Sequence, residues 1–101
     1  MRNNHVDIRE KYPDRIPVIV TSKKFNLSKN KFLVPRTMTV GNLIYWLRTR
    51  ILDIGFEQSL VIFVNDIIPK ATETIEEVDV KYRKYEDEHL NIYLTTENTF
   101  G

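Results

Sequence analysis

Apolar residues follow two different spacings along the chain, and each spacing predicts a different kind of element. Short runs rich in β-branched or aromatic residues are typical of strands. Such runs occupy residues 15–21, 31–34, 60–64, 67–69 and 90–94. The run at 60–64 is apolar throughout, which predicts a strand buried on both faces, and Asn65-Asp66 then offers a tight turn. Pro17, inside the first run, predicts an edge strand or one with a face unpaired.

Helical spacing appears in three other places. A main helix is predicted from residue 40 to about 52, behind the N-cap residue Thr39, with a core stripe of Val40, Ile44, Leu47 and Ile51. A capping box at Thr74-x-x-Glu77 begins a last helix, whose apolar side is Ile75, Val78, Tyr82 and Tyr85. Residues 4–11 are predicted to form a short helix that ends before Pro13.

The order of these elements predicts the fold class. Two strands, a helix, two strands, a helix and a final strand favour an α+β mixed sheet with helices packed on one side. The first hairpin and the last strand are expected to meet at its centre. At 101 residues the chain is predicted to be one domain, 1–101, with a short helical segment at 1–14 and a flexible polar tail at 95–101.

Composition excludes several classes of function. Without cysteine there are no disulfides, thiolate metal sites or cysteine nucleophiles. The two histidines, His5 and His89, lie at opposite ends of the chain, and no glycine-rich phosphate loop is present. We therefore expect no enzyme activity, no catalytic residue, no cofactor and no metal. No apolar run approaches the roughly 20 residues that span a bilayer, so membrane association is expected to come from elsewhere.

The net charge of +1 conceals two oppositely charged halves. Residues 1–50 contain eleven Lys or Arg and three Asp or Glu, whereas residues 51–101 contain four and eleven. The basic half indicates an acidic partner, although two ordinary solvated faces would give the same count. No aromatic-basic recognition motif accompanies the lysines, so a nucleic-acid partner is disfavoured.

Five segments resemble one family. They are IREKYPDRIPVIV at 8–20, KFLVP at 31–35, TVG at 39–41, FVN at 63–65 with Ile68-Pro69, and ENTFG at 97–101. Together they resemble the lipid-conjugated autophagy modifiers related to microtubule-associated light chain 3 and the GABA-receptor-associated protein. The resemblance implies a ubiquitin-like β-grasp fold. Three departures are a missing first helix, a shorter loop after the first strand, and His89 where the family commonly has an aromatic residue.

The resemblance implies a conjugation site at Gly101. Activating and conjugating enzymes would pass its carboxylate to the amine of phosphatidylethanolamine, and a glycine suits their narrow clefts because it has no side chain. The two acyl chains would then hold a cytoplasmic protein on autophagosomal membranes. A branch of the family that attaches to another protein is a further possibility. The sequence leaves open whether Gly101 is the native terminus or is exposed by processing.

The resemblance also implies two pockets for cargo receptors and adaptors that carry short aromatic-x-x-aliphatic motifs. The aromatic pocket matches Ile8, Pro17, Ile19, Lys31, Leu33 and His89. The aliphatic pocket matches Phe32, Val34, Pro35, Met38, Leu43 and Trp46. Leu43, Trp46 and Arg50 predict an apolar strip beside the helix core that borders solvent, or simply a broad core.

Basic residues are expected to attract the acidic flanks of such motifs. They are Arg15, Lys29, Lys31 and Arg50. The competing function is an unconjugated ubiquitin-like binding module for acidic-flanked peptides. The two functions are separated by whether Gly101 is the true terminus and whether its removal abolishes function.

Overall fold

A computed structural model describes residues 7–51, 59–84 and 88–97. Its helices are α1 (Ile8–Lys11), α2 (Val40–Arg48) and α3 (Ile75–Tyr82). Its strands are β1 (Arg15–Thr21), β2 (Lys31–Pro35), β3 (Leu60–Phe63) and β4 (Leu90–Thr96). Several predicted features lie outside the described residues, namely the helix start at Asn4 and the positions of Tyr85, Phe100 and Gly101.

The four strands form one mixed sheet in the order β2-β1-β4-β3. β1 and β4 are parallel neighbours at the centre, and each has an antiparallel outer partner, β2 and β3 respectively. The first hairpin and the last strand therefore meet centrally, and the predicted ubiquitin-like α+β fold is confirmed.

One hydrophobic core lies between the sheet and the two longer helices. Ile16, Val18 and Val20 alternate along β1 and are fully buried, because successive side chains of a strand point to opposite faces. They join apolar residues from both helices, namely Val40, Leu43 and Leu47 of α2 and Ile75 and Val78 of α3. Leu43 is buried where the predicted stripe of α2 had Ile44, which is only partly buried and packs against the core. The other four helix residues are ones that the helical spacing predicted.

The amino-terminal ends of α2 and α3 are capped as predicted. Thr39 accepts a hydrogen bond from the amide of Asn42, and Thr74 and Glu77 form the complete reciprocal capping box. α2 is also tied to the segment before α3, because the Val40 amide donates to the Glu73 carbonyl at 2.8 Å. The helices are thereby joined by main-chain bonds as well as by the core.

A buried carboxylate stabilises that junction. Glu73 accepts from the Lys81 ammonium at 2.7 Å and from the Lys70 amide at 2.9 Å. These bonds favour the ionised carboxylate, and they hold the pKa of Glu73 below its usual range. The same contact with Glu73 raises the pKa of Lys81.

The predicted strand at 67–69 is not formed. Asn65 and Asp66 make the expected tight turn, with φ values of 52° and 66°, but only a single bridge between Val64 and Ile67 follows it. Pro69 has no amide to donate to a longer ladder. β3 is also buried on one face only, since its alternate residues are half-exposed and it is an outer strand of the sheet.

Two predicted boundaries shift. The predicted tail begins too early, because Thr95 and Thr96 belong to β4 and are buried where they pair with Val61 and Leu60. α2 ends at Arg48 rather than near residue 52. The Thr49 hydroxyl donates to the Trp46 carbonyl at 2.6 Å, which satisfies an end group of the helix.

Pro17 lies on a central strand, not on the edge of the sheet. It pairs with Leu33 of β2, whereas the pairing of β1 with β4 begins only at Val18. At Pro17 the strand therefore has a partner on one side alone. The missing amide is accommodated there without breaking the central ladder.

Candidate functional site

β2 is an outer strand, and no described strand pairs with its free edge. An outer strand presents unpaired amide and carbonyl groups to which another extended chain can add. The side chains of β2 alternate as predicted. Lys31 and Leu33 share a face with their partners on β1, Ile19 and Pro17, while Phe32 and Val34 point to the opposite, core-facing side.

A groove of about 570 Å³ follows this edge. It is lined by Ile8, Ser28, Lys29, Lys31, Phe32, Leu33, Trp46, Arg50 and His89. Leu33 and Phe32 point to opposite faces of β2, so the groove wraps around the edge of the strand. Its walls come from α1, the loop before β2, the carboxyl-terminal end of α2 and the segment before β4.

Two aromatic rings line the α2 side of the groove. Phe32 and Trp46 meet edge to face, with ring centroids 5.0 Å apart and an interplanar angle of 85°. The Arg50 guanidinium lies 4.6 Å from the Trp46 ring centroid, and the Lys29 ammonium lies 5.9 Å from that of Phe32. These distances are within the range of cation–π attraction.

The charge of the groove has one sign. Lys29, Lys31 and Arg50 are exposed, and none of the described lining residues is acidic. Such a surface attracts anionic groups over roughly a Debye length, about 8–10 Å at moderate salt. The groove therefore combines an unpaired strand edge, an aromatic surface and three cations.

Eight of the predicted pocket and charge residues line this single groove. They are Ile8, Lys29, Lys31, Phe32, Leu33, Trp46, Arg50 and His89. Ser28 also lines it and was not predicted, because only the course of the loop brings this polar residue to the strand edge. The structure joins members of both predicted pockets in one continuous surface.

The remaining predicted pocket residues lie elsewhere. Val34 and Leu43 are 3% and 0% exposed and belong to the core, so the predicted apolar strip bordering solvent is wrong at Leu43. Pro17 is buried, and Ile19, Pro35 and Met38 are half-buried outside the groove. The Arg15 guanidinium donates to the Leu33 carbonyl at 3.3 Å, close to the groove but not in its lining.

Two structural properties of the described residues bear on function. Among residues 7–51, 59–84 and 88–97, no three His, Asp or Glu side chains lie close enough together to hold a metal ion. None of the helices in these ranges is long and apolar enough to cross a membrane.

Both the sequence and the fold of the chain match those of known proteins. The family model described as "Autophagy protein Atg8 ubiquitin like" matches residues 1–101. The chain belongs to the Atg8 family. It is therefore a ubiquitin-like protein of autophagy, as the resemblance of its five segments implied.

Curated Atg8 relatives cover most of the chain. Autophagy-related protein 8e of Arabidopsis thaliana is 45% identical over 98 residues, which are 93% of this chain and 79% of the plant protein. Autophagy-related protein 8 of Dictyostelium discoideum is 40% identical over 100 residues, with coverage of 93% and 80%. The similarity thus extends well beyond the groove.

Solved Atg8 structures share the fold. Trypanosoma brucei ATG8 superimposes with a TM-score of 0.78 at 33% identity, covering 93% of this chain and 83% of that one. Plasmodium falciparum Atg8, in complex with a Plasmodium falciparum Atg3 peptide, gives a TM-score of 0.74 at 32% identity, covering 87% and 80%. The second structure shows that a protein of this fold binds a peptide.

Proposed function

We propose that this Atg8-family chain is a modifier that is joined through Gly101 to phosphatidylethanolamine and then recruits partners through the β2 edge groove. The partners are cargo receptors and adaptors with short aromatic-x-x-aliphatic motifs. The observation that carries the proposal is the groove itself, where a free strand edge, an aromatic surface and cations coincide. Each of these features matches one part of an acidic-flanked peptide.

The free edge accounts for the main chain of such a peptide. An extended segment adds beside β2, and its amide and carbonyl groups pair with those of the strand. Alternate side chains of the added strand then face opposite sides. The aromatic residue lies toward Ile8, Leu33 and His89, and the aliphatic residue lies toward Phe32 and Trp46.

The cations account for the acidic flank. Lys29, Lys31 and Arg50 attract carboxylates before contact, which raises the association rate and orients the peptide. The conjugating enzyme is a second partner of this kind in the proposal, by analogy with the Plasmodium falciparum Atg8 structure that contains an Atg3 peptide.

The conjugation step uses the carboxylate of Gly101. Activation by ATP gives an acyl adenylate with release of pyrophosphate, and an enzyme thiol then displaces AMP to form a thioester. The lipid amine attacks that thioester, so that an amide bond forms and the thiol leaves. The product is a protein of the cytoplasm held peripherally on autophagosomal membranes by two acyl chains.

The single tryptophan provides a direct test of the groove. Trp46 is the only tryptophan in the chain and lines the groove, so its fluorescence reports on peptide binding. A peptide with a Phe-x-x-Leu motif, acidic flanks and no tryptophan should change the emission saturably. The matched control replaces both motif residues with alanine and keeps the flanks. Equal affinity for both peptides would contradict motif recognition.

Conjugation requires a separate assay. The purified chain is incubated with activating and conjugating enzymes, ATP and phosphatidylethanolamine liposomes, and the products are weighed by intact mass spectrometry. A lipid-sized gain that is absent in Gly101→Ala supports the modifier. Motif binding without any adduct, with the enzymes active on another Atg8 substrate, would favour the unconjugated binding module instead. An adduct to an added protein would favour the protein-linked branch.

A further inference from the structure

The α1 side of the groove is a single helical turn, and this turn needs contacts with the rest of the domain to stay folded and in place. The four residues Ile8–Lys11 include none that is buried, and so short a helix is not stable by itself in water. Ile8 nevertheless lines the groove. Contacts outside α1 must keep this turn against the domain.

Two consecutive residues of α1 make those contacts. The Arg9 guanidinium donates to both carboxylate oxygens of Asp79 on α3, at 3.0 and 2.9 Å, and its Nε donates to the Glu88 carbonyl at 2.7 Å. The Ile8 amide donates to the Glu88 carboxylate at 3.1 Å. We call Arg9, Asp79 and Glu88 the clamp. Its bonds join parts of the chain separated by 70 to 80 residues.

The bond between Arg9 and Asp79 belongs to the stronger class of side-chain hydrogen bonds. A bidentate guanidinium–carboxylate pair is charge-assisted and fixed in direction, and the Asp79 side chain is only 7% exposed. Asp79 has a second cation at 3.2 Å, the Nε of Arg83, the residue that follows α3. Loss of Arg9 would therefore leave Asp79 with a charged partner, and we expect Arg9 variants to fold.

Two of the three clamp residues adjoin groove residues in the chain. Arg9 follows Ile8, and Glu88 precedes His89, while both Ile8 and His89 line one end of the groove. We propose that the clamp is a positioning device that holds this end of the groove ready for a peptide. Asp79 does not line the groove and acts only through Arg9. The proposal rests on peptide binding in the groove, as set out above.

Asp79→Asn provides the sharpest test, because simple electrostatics predicts the opposite result. Removing one negative charge should tighten binding of an acidic peptide, whereas loss of the clamp should weaken it. If the α1 side is in place only about one tenth of the time, the apparent dissociation constant rises about tenfold. The measurement is the Trp46 fluorescence titration with the Phe-x-x-Leu peptide.

Three other clamp variants and a matched control accompany it. Arg9→Gln and Glu88→Ala should also weaken binding, and Arg9→Lys should fall between Arg9→Gln and wild type, because lysine keeps the charge but loses the bidentate fork. The control, Glu73→Gln, removes an ion pair to Lys81 on the same helix but has no contact with the groove. It should change stability without changing peptide affinity.

A peptide-free measurement separates the clamp from the proposed function. The methyl NMR signals of Ile8 should move toward random-coil values in Asp79→Asn and stay in place in Glu73→Gln. If wild type binds no motif peptide, the proposed function fails, and unmoved Ile8 signals would then overturn the clamp as well. Where wild type does bind, an unchanged dissociation constant in Asp79→Asn overturns the positioning role.

Discussion

The two outer strands of the sheet differ in what surrounds their free edges. β2 is bordered by an aromatic pair and by Lys29, Lys31 and Arg50, all on one groove. β3 is one residue shorter, and the chain beyond it turns sharply at Asn65 and Asp66. Both strands lie at the ends of the described sheet, but among the described residues only β2 adds side chains suited to an acidic, motif-bearing peptide. Side-chain surroundings, rather than a free edge alone, therefore distinguish a binding strand.

The largest expected difference is between matched substitutions on the two outer strands. Leu33→Asp and Val61→Asp each place a carboxylate at a half-buried strand position. Leu33→Asp should weaken motif-peptide binding about thirtyfold, since an unpaired charge in the bound interface costs on the order of 2 kcal/mol. Val61→Asp should leave the affinity unchanged. Isothermal calorimetry measures both, and equal losses would remove the distinction between the edges.

A smaller effect is expected from the aromatic surface of the groove. Trp46→Ala should weaken peptide binding about tenfold, because it removes apolar area and the edge-to-face contact with Phe32. The control is Tyr45→Ala, the preceding helix position, whose side chain is 74% exposed. Its affinity and its free energy of unfolding should stay within about 0.5 kcal/mol of wild type. Calorimetry and urea unfolding provide the two values, and a comparable loss of affinity in both variants would argue against the groove.

The cations are expected to contribute less again. Lys31→Gln should weaken binding of an acidic-flanked peptide about threefold at low salt, because exposed ion pairs contribute roughly 0.2–1 kcal/mol. The difference from wild type should shrink as salt rises toward about 0.5 M. Lys70→Gln, an exposed lysine outside the groove, is the matched control. An affinity that does not depend on salt would contradict electrostatic attraction.

The smallest expected effect concerns stability alone, away from both edges. The pKa of Glu73 is lowered in the folded chain, so its contribution is present above the unfolded pKa and is lost as pH falls through the folded pKa. The pKa of Lys81 is raised in the folded chain, so its contribution to stability has the opposite pH dependence and is lost as pH rises through the folded pKa. Glu73→Gln should therefore flatten the acid-side fall in the free energy of unfolding. Denaturant titrations between about pH 3 and 8 measure this slope, and an unaltered acid limb would contradict the assignment.

Most elements were predictable because their signals are local. The alternation along β1, the core stripe of α2 and the capping box at Thr74 each depend on residues a few positions apart. The errors occurred where distant partners decide the outcome. Thr96 is polar, which predicted that it belongs to the tail, yet it pairs with Leu60 and is buried in the sheet. Leu43 has a helical position compatible with either surface or core, and packing places it entirely in the core.

The sequence predicted many of the residues that line the groove, but it did not predict the shape of the groove. Alternation along β2 assigned Lys31 and Leu33 to one side and Phe32 to the other, and the register with β1 agrees. That the groove is a single surface depends on where the end of α2 lies relative to β2, which no local pattern contains. The roles of Gly101 and of the predicted pockets in binding and conjugation stay predictions.

The amino-acid sequence by itself determined most of the element types, the capped helix starts, the turn at Asn65 and the charge division between the two halves, because these follow from nearest neighbours and composition. Tertiary structure alone decided that Arg9 reaches Asp79 and that Ile8, Trp46 and His89 share one groove. Such contacts join residues tens of positions apart. They exist only after the chain has closed its loops, and no local pattern of residues specifies them in advance.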